Sequence, residues 1–273
     1  MNKRFLLALA ATVALVGLGG CSEGDEAQIN IDAPSSDDSV NSGGGDIVGG
    51  DQNVGGDGGG GPGPGPDPDP QDCPEGTTEI SAGVCTLPAT ISTDLTLVAG
   101  NVYIMEGTVT VGNGNGQLGD DGNLMDGTPL QNVTLTIEAG VEVQGVTGTF
   151  ANLVVTRGSM LMAVGTAANP IIFSSDDPGY DGAGEWGGVQ IGGFGPHNEC
   201  PEGGTICNID GEGESGFFGG YDAADNSGTL RYVIIAEGGF EFAPGDEING
   251  LSLHGVGNGT SIQYLQIEGN SGD

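Results

Sequence analysis

Two short acidic segments contain the residues best suited to metal chemistry. One lies within residues 176–185 and the other within residues 210–214. Their carboxylates belong to Asp176, Asp177, Asp181, Asp210, Glu212 and Glu214. Carboxylate oxygens are preferred ligands of Ca²⁺, and glycines between them let a loop wrap around an ion. Neither segment has the EF-hand spacing, so a Ca²⁺ site and a solvated acidic surface remain as two interpretations.

Aromatic residues mark the longest polar segment, residues 196–227, and the strand before it. They are Trp186, Phe217, Phe218 and Tyr221. Exposed rings would stack on sugars or contact a partner protein, whereas buried rings would pack the segment onto the core. We expect packing to be the main role and keep these rings as the candidate ligand-binding residues.

The cysteines indicate export and two short disulfides. Cys73 and Cys200 each begin a Cys-Pro-Glu-Gly tetrapeptide. Because disulfides are typical of exported proteins, we predict local pairs, Cys73 with Cys85 and Cys200 with Cys207. Closing loops of this size contributes on the order of 3 kcal/mol in the chain-entropy model. A zinc site is disfavoured, because the spacing is not Cys-x-x-Cys.

Residues 1–20 have the features of an export signal. Two basic residues precede an apolar core that is too short to span a bilayer. The Leu-Gly-Gly-Cys sequence that ends at Cys21 resembles the lipobox of bacterial lipoproteins, in which the cysteine carries the lipid. We expect Cys21 to anchor the protein to a membrane. By the same resemblance, Ser22 implies the outer membrane, with the domain facing the periplasm or the cell surface.

The composition excludes one class of partner and predicts a linker. Residues 21–72 are rich in Gly, Asp and Pro without apolar periodicity, which is typical of a disordered stalk with an r.m.s. span of roughly 40 Å. The formal charge is −34, and Arg157 and Arg231 are the only basic residues after the signal region. Such a chain has no basic patch for phosphates, so nucleic acid is not a partner.

Short alternating strands dominate the rest of the chain. They are clearest between residues 131 and 175, where apolar cores of three or four residues are separated by corners containing Gly and Asn. Isolated strands of this length are unstable, whereas strands stacked as rungs of a coil bury one another. We predict an all-β solenoid at 93–273 behind a disulfide-closed cap at 73–92, with a loop at 112–131 and an excursion at 196–227.

Several motifs within this region carry a family resemblance. They occupy residues 153–158, 165–171, 185–188, 217–220, 225–233, 247–251 and 255–257. This set resembles a group of bacterial exported proteins with a right-handed parallel β-helix of the pectin-lyase-like fold. Members are mostly surface or secreted lipoproteins without an established activity, so the resemblance implies a fold and not a function. Members usually continue beyond the position of Asp273, so we expect this chain to be truncated at its C-terminus.

We predict a non-catalytic module at the cell envelope that binds or adheres to a glycan or a partner protein. A polysaccharide-active lyase or hydrolase and a structural spacer are the alternatives. By resemblance, lyases of this fold use Ca²⁺ and an arginine or lysine base. Here Arg157 and Arg231 are the only candidates, and we expect each to pair with a local carboxylate instead. His254 is expected to be structural.

Overall fold

The computed structural model describes residues 69–179, 182–213, 215–243 and 246–271. The predicted signal peptide, the predicted lipidation site Cys21 and most of the predicted linker lie outside these residues. Within the described ranges no helix is long and apolar enough to cross a membrane.

Short β-strands make up the regular structure. In chain order they are β1 (Thr78–Ser81), β2 (Val84–Thr86), β3 (Thr90–Ile91), β4 (Leu95–Leu97), β5 (Val102–Met105), β6 (Val109–Val111), β7 (Thr134–Ile137), β8 (Glu142–Gly145), β9 (Asn152–Val155), β10 (Met160–Val164), β11 (Ile171–Ser175), β12 (Gly188–Gly192), β13 (Ile209–Asp210), β14 (Phe217–Phe218), β15 (Gly228–Ala236), β16 (Glu241–Ala243), β17 (Asp246–Glu247), β18 (Leu251–His254) and β19 (Ser261–Glu268).

The strands stack as a three-sided coil. One side carries β2, β5, β8 and β11, the second carries β3, β6, β9, β12 and β18, and the third carries β4, β7 and β10. Neighbouring rungs pair in parallel on every side. Within the described residues, antiparallel pairing occurs in the small hairpins β1–β2, β13–β14 and β16–β17 and in an isolated bridge between Leu118 and Leu124. The predicted all-β parallel β-helix is confirmed.

The strands β15 and β19 each bend at a tyrosine and so belong to two sides of the coil. Before the bend β15 pairs with β10, and after it β15 pairs with β11. The bends lie at Tyr232, with φ of 49°, and at Tyr264, with φ of 53°. An L-residue in this left-handed region costs roughly 1–2 kcal/mol, so the two corners need compensating contacts.

Columns of apolar side chains fill the interior. One column runs through Leu97, Ile137, Ala163 and Leu230, which lie opposite one another on successive rungs and are buried. The period of two along each strand directs alternate residues inward, and parallel register places each above the residue of the rung below. The core is therefore a repeating stack along the coil axis.

A hairpin closes the N-terminal end of the coil. It consists of β1 and β2, which pair antiparallel, and β2 continues in parallel with β5. The Cys73–Cys85 disulfide ties the entering chain to β2, with a Cα–Cα distance of 5.8 Å. The predicted pairing of these cysteines is confirmed.

Candidate functional site

Arg157 organises the surface of the coil just beyond β9. Its side chain is completely buried. The guanidinium donates from Nε to the Gly114 carbonyl at 2.8 Å and from Nη2 to the Gly116 carbonyl at 2.7 Å. It also donates from Nη1 to the Cys207 carbonyl at 2.7 Å and from Nη2 to Asn208 Oδ1 at 3.1 Å. One side chain therefore joins the loop at 112–131 to the excursion at 196–227.

These acceptors explain the electrostatics of Arg157. Burial lowers the pKa of its guanidinium to about 10, which leaves it charged at neutral pH. The oxygens named above are neutral carbonyl and amide oxygens, so the local carboxylate pair that we predicted for Arg157 is wrong. A group whose N–H bonds point at fixed acceptors is poorly placed to act as a base toward a substrate.

Further contacts close the excursion on itself and join it to the residues that follow β12. The Cys200–Cys207 disulfide closes it, with a Cα–Cα distance of 5.4 Å, and confirms the predicted pair. The Tyr221 hydroxyl donates to the Pro201 carbonyl. Gly220 donates from its backbone N–H to the Gly195 carbonyl at 3.1 Å. A side chain at Gly220 would bring its Cβ within 2.5 Å of the Phe194 carbonyl oxygen, so this approach requires glycine.

A cavity of about 430 Å³ lies between the excursion, the loop at 112–131 and the corner of the coil that follows β9 and β12. Its walls combine apolar side chains, polar side chains and backbone. They are formed by Leu118, Arg157, Phe194, Thr205, Ile206, Cys207, Gly219, Gly220, Tyr221 and Asp222. Phe194 lies 5.8 Å from the Arg157 guanidinium, measured to the ring centroid. The volume is within the range typical of small-molecule sites, so the cavity is the candidate functional site.

The excursion also covers part of the outer face of the second side. Val154 on β9 and Gln190 on β12 point outward, yet both are buried. Gln190 donates from Nε2 to the Gly213 carbonyl at 3.4 Å, and the Phe218 ring packs between the rings of His197 and His254. Over these rungs the sheet face is therefore closed to a long polymer.

His254 lies in this covered region. Burial lowers the pKa of its imidazole, and the negative charge of Glu212 partly opposes that shift. Its Nε2 is 3.3 Å from Gln190 Oε1. A half-buried imidazole packed against the Phe218 ring fits the structural role that the sequence suggested for it.

The candidate ligand-binding aromatics divide between core and cavity. Trp186 is 0% exposed and donates from Nε1 to the Ala236 carbonyl at 2.7 Å. The predicted ligand-binding role of Trp186 is therefore wrong, because no face of its ring is open to a sugar. Phe218 is buried and Phe217 is half-buried in the β13–β14 hairpin, whereas Tyr221 is 37% exposed and lines the cavity.

Sequence reasoning missed other lining residues. Phe194, Ile206 and Asp222 are single side chains in Gly-rich or polar surroundings, and no spacing marks them. Phe194 directly follows the Gly192–Gly193 pair, where a lone aromatic residue was the one available signal. They converge because the excursion folds back onto the coil, which no local pattern encodes.

The predicted Ca²⁺ ligands do not assemble into a cluster among the described residues. Asp176 Oδ1 accepts from both the Thr147 N–H and the Thr147 hydroxyl at 2.7 Å, which binds adjacent rungs together. Asp210 and Glu212 are exposed. Asp181 and Glu214 lie outside the described residues. Calcium binding stays a prediction.

A carboxylate pair that the sequence did not reveal lies at another corner. The Ser175 Oγ is 2.6 Å from Glu185 Oε2 and 2.9 Å from Glu237 Oε2. Glu237 is 1% exposed and has a φ of 62°. Paired carboxylates are the machinery of glycoside hydrolysis, but burial of Glu237 denies a polysaccharide access to this pair.

Comparisons with known proteins identify the fold family. A family model described as a pectate-lyase-like β-helix domain matches residues 89–273. No curated protein and no solved structure matches the chain.

Proposed function

Because the chain belongs to the family of pectate-lyase-like β-helix domains, we propose that it is a non-catalytic β-helix module of the cell envelope that binds a short glycan segment in the cavity beside Arg157. A fold of this kind hosts both binding proteins and enzymes, so the proposal depends on the site and not on the family.

The chemistry of the cavity lining carries the proposal. The described lining residues include one carboxylate, that of Asp222, whereas hydrolysis of a glycosidic bond uses two. Arg157 is buried and already donates to fixed oxygens, which argues against its use as the base of a lyase. Binding needs only shape, a ring to stack on and polar groups to fix orientation.

A sugar suits the lining better than a purely apolar ligand. The half-exposed Tyr221 and Phe194 offer ring faces, which pack against the C–H face of a pyranose. The Asp222 carboxylate accepts hydrogen bonds from hydroxyl groups, and the Thr205 hydroxyl both donates and accepts. The volume accommodates one or two sugar rings.

The envelope location rests on the N-terminal pattern. A lipid on Cys21 and a stalk at 21–72 would hold the folded domain away from a membrane, within reach of glycans that surround the cell. We propose the outer membrane as the site of anchoring. Detection of the intact protein in the detergent-soluble membrane fraction, and its release by Cys21→Ser, would test this part separately.

The decisive experiment offers the full chain a panel of neutral and acidic polysaccharides, with and without Ca²⁺. Both retention on the polymer and shortening of the polymer are measured. Variants Phe194→Ala and Tyr221→Ala should reduce retention by about tenfold, because loss of a stacked ring costs roughly 1–1.5 kcal/mol. Ile80→Ala, a change at an exposed residue of β1, is the matched control.

Each outcome decides between the alternatives. Shortening of any polymer would overturn the proposal in favour of an enzyme. Retention that is equal in wild type, Phe194→Ala and Tyr221→Ala would remove the cavity from the binding site. An absence of retention on every polymer would favour a protein partner or a spacer.

A further inference from the structure

The buried guanidinium beside the cavity has all of its N–H groups engaged by the protein itself. An arginine side chain has five N–H bonds, and those of Arg157 meet five acceptors. The acceptors are the backbone carbonyls of Gly114, Gly116, Cys207 and Gly219 and the side-chain amide oxygen of Asn208. Arg157 therefore cannot offer the two-pronged hydrogen bonds by which an arginine holds a carboxylate, sulfate or phosphate.

The remaining charges also disfavour an anionic ligand in the cavity. Among the described lining residues, Asp222 supplies the one carboxylate, and it is exposed at the mouth of the cavity. Its Oδ1 accepts from the Ala224 N–H at 2.9 Å, which fixes the orientation of the side chain. The formal charge of −34 adds long-range repulsion of anions. The part of a ligand that enters the cavity is therefore neutral or cationic.

The inner part of the cavity is apolar. It is formed by Leu118, which is 3% exposed, by Cys207, which is 2% exposed, and by the half-buried Ile206. We call these three residues the apolar wall. Two hydrogen bonds between the Asn208 side chain and the backbone of Leu118, at 2.9 Å and 3.0 Å, hold one part of it, and the disulfide holds another. Because the wall is already formed, a ligand that fills the cavity gains by placing an apolar group against it.

Two polar side chains stand beside the apolar wall. Thr205 directly precedes Ile206, Asp222 directly follows Tyr221, and both polar residues are exposed and line the cavity. The threonine hydroxyl can donate to a carbonyl oxygen, and the carboxylate can accept from an N–H. An amide group presents both a carbonyl oxygen and an N–H. The cavity thus combines a surface for a methyl group, a donor for a C=O and an acceptor for an N–H.

We propose that the sugar unit bound in the cavity carries an acetamido group, an inference that rests on the proposed glycan-binding function. The acetamido methyl group packs on the apolar wall, its N–H donates to Asp222, and its C=O accepts from the Thr205 hydroxyl. The pyranose face stacks on the ring of Tyr221, whose hydroxyl is already held by the Pro201 carbonyl. An acetamido group is neutral, so it avoids the repulsion that a carboxylated sugar meets.

A sugar with a free amino group is the competing ligand, because its ammonium group is attracted by Asp222 and by the negative net charge. The apolar wall favours the acetamido group, since burial of a methyl group is favourable and burial of an ammonium ion is costly. Salt separates the two further. Attraction of a cation to exposed carboxylates weakens as ionic strength rises, whereas methyl packing does not depend on it.

The test uses the full chain and three oligosaccharides of equal length and linkage, which carry an acetamido, a hydroxyl or an amino group at the same ring carbon. At about 0.15 M salt the acetamido probe should bind about fourfold or more tightly than the hydroxyl probe, the factor expected for one buried methyl group. Ile206→Thr introduces a hydroxyl into the apolar wall and should bring this affinity ratio close to one. Asp222→Asn keeps an acceptor for the Ala224 N–H and should weaken the acetamido probe by about fivefold, because a charged acceptor is lost.

Two further variants separate this assignment from glycan binding as such. Ile80→Thr makes the same exchange at an exposed residue of β1 and should leave the affinities for all probes unchanged. Tyr221→Ala should weaken the acetamido and hydroxyl probes alike, because the ring contact does not involve the substituent. Equal affinities for these two probes, or a preference that survives Ile206→Thr, would overturn the acetamido assignment and leave glycan binding in place. Tightest binding of the amino probe would also overturn it, and binding of no probe would overturn both proposals.

Discussion

The two arginines of the folded region have opposite environments. Arg157 is buried beneath the excursion and donates to backbone carbonyls of two separate segments. Arg231 is exposed at a corner and rests against two rings. Sequence reasoning assigned both the same role, a pair with a local carboxylate. The comparison shows that in a coil the function of a residue depends on whether an inserted segment folds back over it.

The largest expected effect comes from removing the buried arginine. Arg157→Ala would leave the carbonyls of Gly114, Gly116 and Cys207 without their donor in a buried setting. We expect the free energy of unfolding to fall by about 3–5 kcal/mol, because buried acceptors lose their partner and a cavity forms. Arg231→Gln should change it by less than about 0.5 kcal/mol. Denaturant unfolding measures both, and equal losses would contradict the distinction.

The disulfides give the next largest difference. The double variant Cys200→Ser/Cys207→Ser opens a short loop, which should cost about 2.5 kcal/mol, and Cys73→Ser/Cys85→Ser should cost about 3 kcal/mol. Only the first pair borders the cavity, since Cys207 lines it. Ligand retention in the cavity should therefore fall for the first variant and persist for the second. Loss of retention in both would mean that global stability controls binding.

A pH titration should reveal how burial beneath the excursion affects His254. Burial lowers the pKa of His254 below its usual 6.5. As the pH falls through 6.5, the imidazole is therefore protonated more readily in the unfolded chain than in the folded chain. Stability is then complete above about pH 6.5 and declines as the pH falls, by at most about 1.4 kcal/mol per pH unit for one group. His254→Gln should make the thermal midpoint less dependent on pH over this interval. A midpoint that falls equally in the variant would assign the slope to carboxylates instead.

The smallest stability effect is expected at the corner where the rings of Tyr232 and Tyr264 stack. Tyr264→Gly exchanges the loss of a ring pair, worth about 0.5–1.5 kcal/mol, for relief of left-handed strain worth roughly 1–2 kcal/mol. The free energy of unfolding should change by less than about 1 kcal/mol. Tyr264→Ala keeps the strain and loses the ring, so it should be less stable than Tyr264→Gly. Calorimetric midpoints of the two variants decide this, and the reverse order would contradict the corner geometry.

Local pattern was sufficient for much of the coil. The alternating apolar cores between residues 131 and 175 predict short strands, and the structure has β7 to β11 there. The short hairpins β1–β2 and β13–β14 were missed, because they lack alternation and depend on the adjacent disulfides. No local pattern marks the corner that β15 turns at Tyr232.

The sequence alone determined the repeating coil and the two disulfide pairs, because alternation with a period of two and short cysteine spacings are local signals. The tertiary structure alone decided that Trp186 lies in the core and that the buried Arg157 joins the loop at 112–131 to the excursion. It also decided which side chains line the cavity and that Arg231 and the tyrosines form a ladder. Those facts depend on the register between rungs and on how the excursion folds back. Register joins residues tens of positions apart, and no local pattern records it.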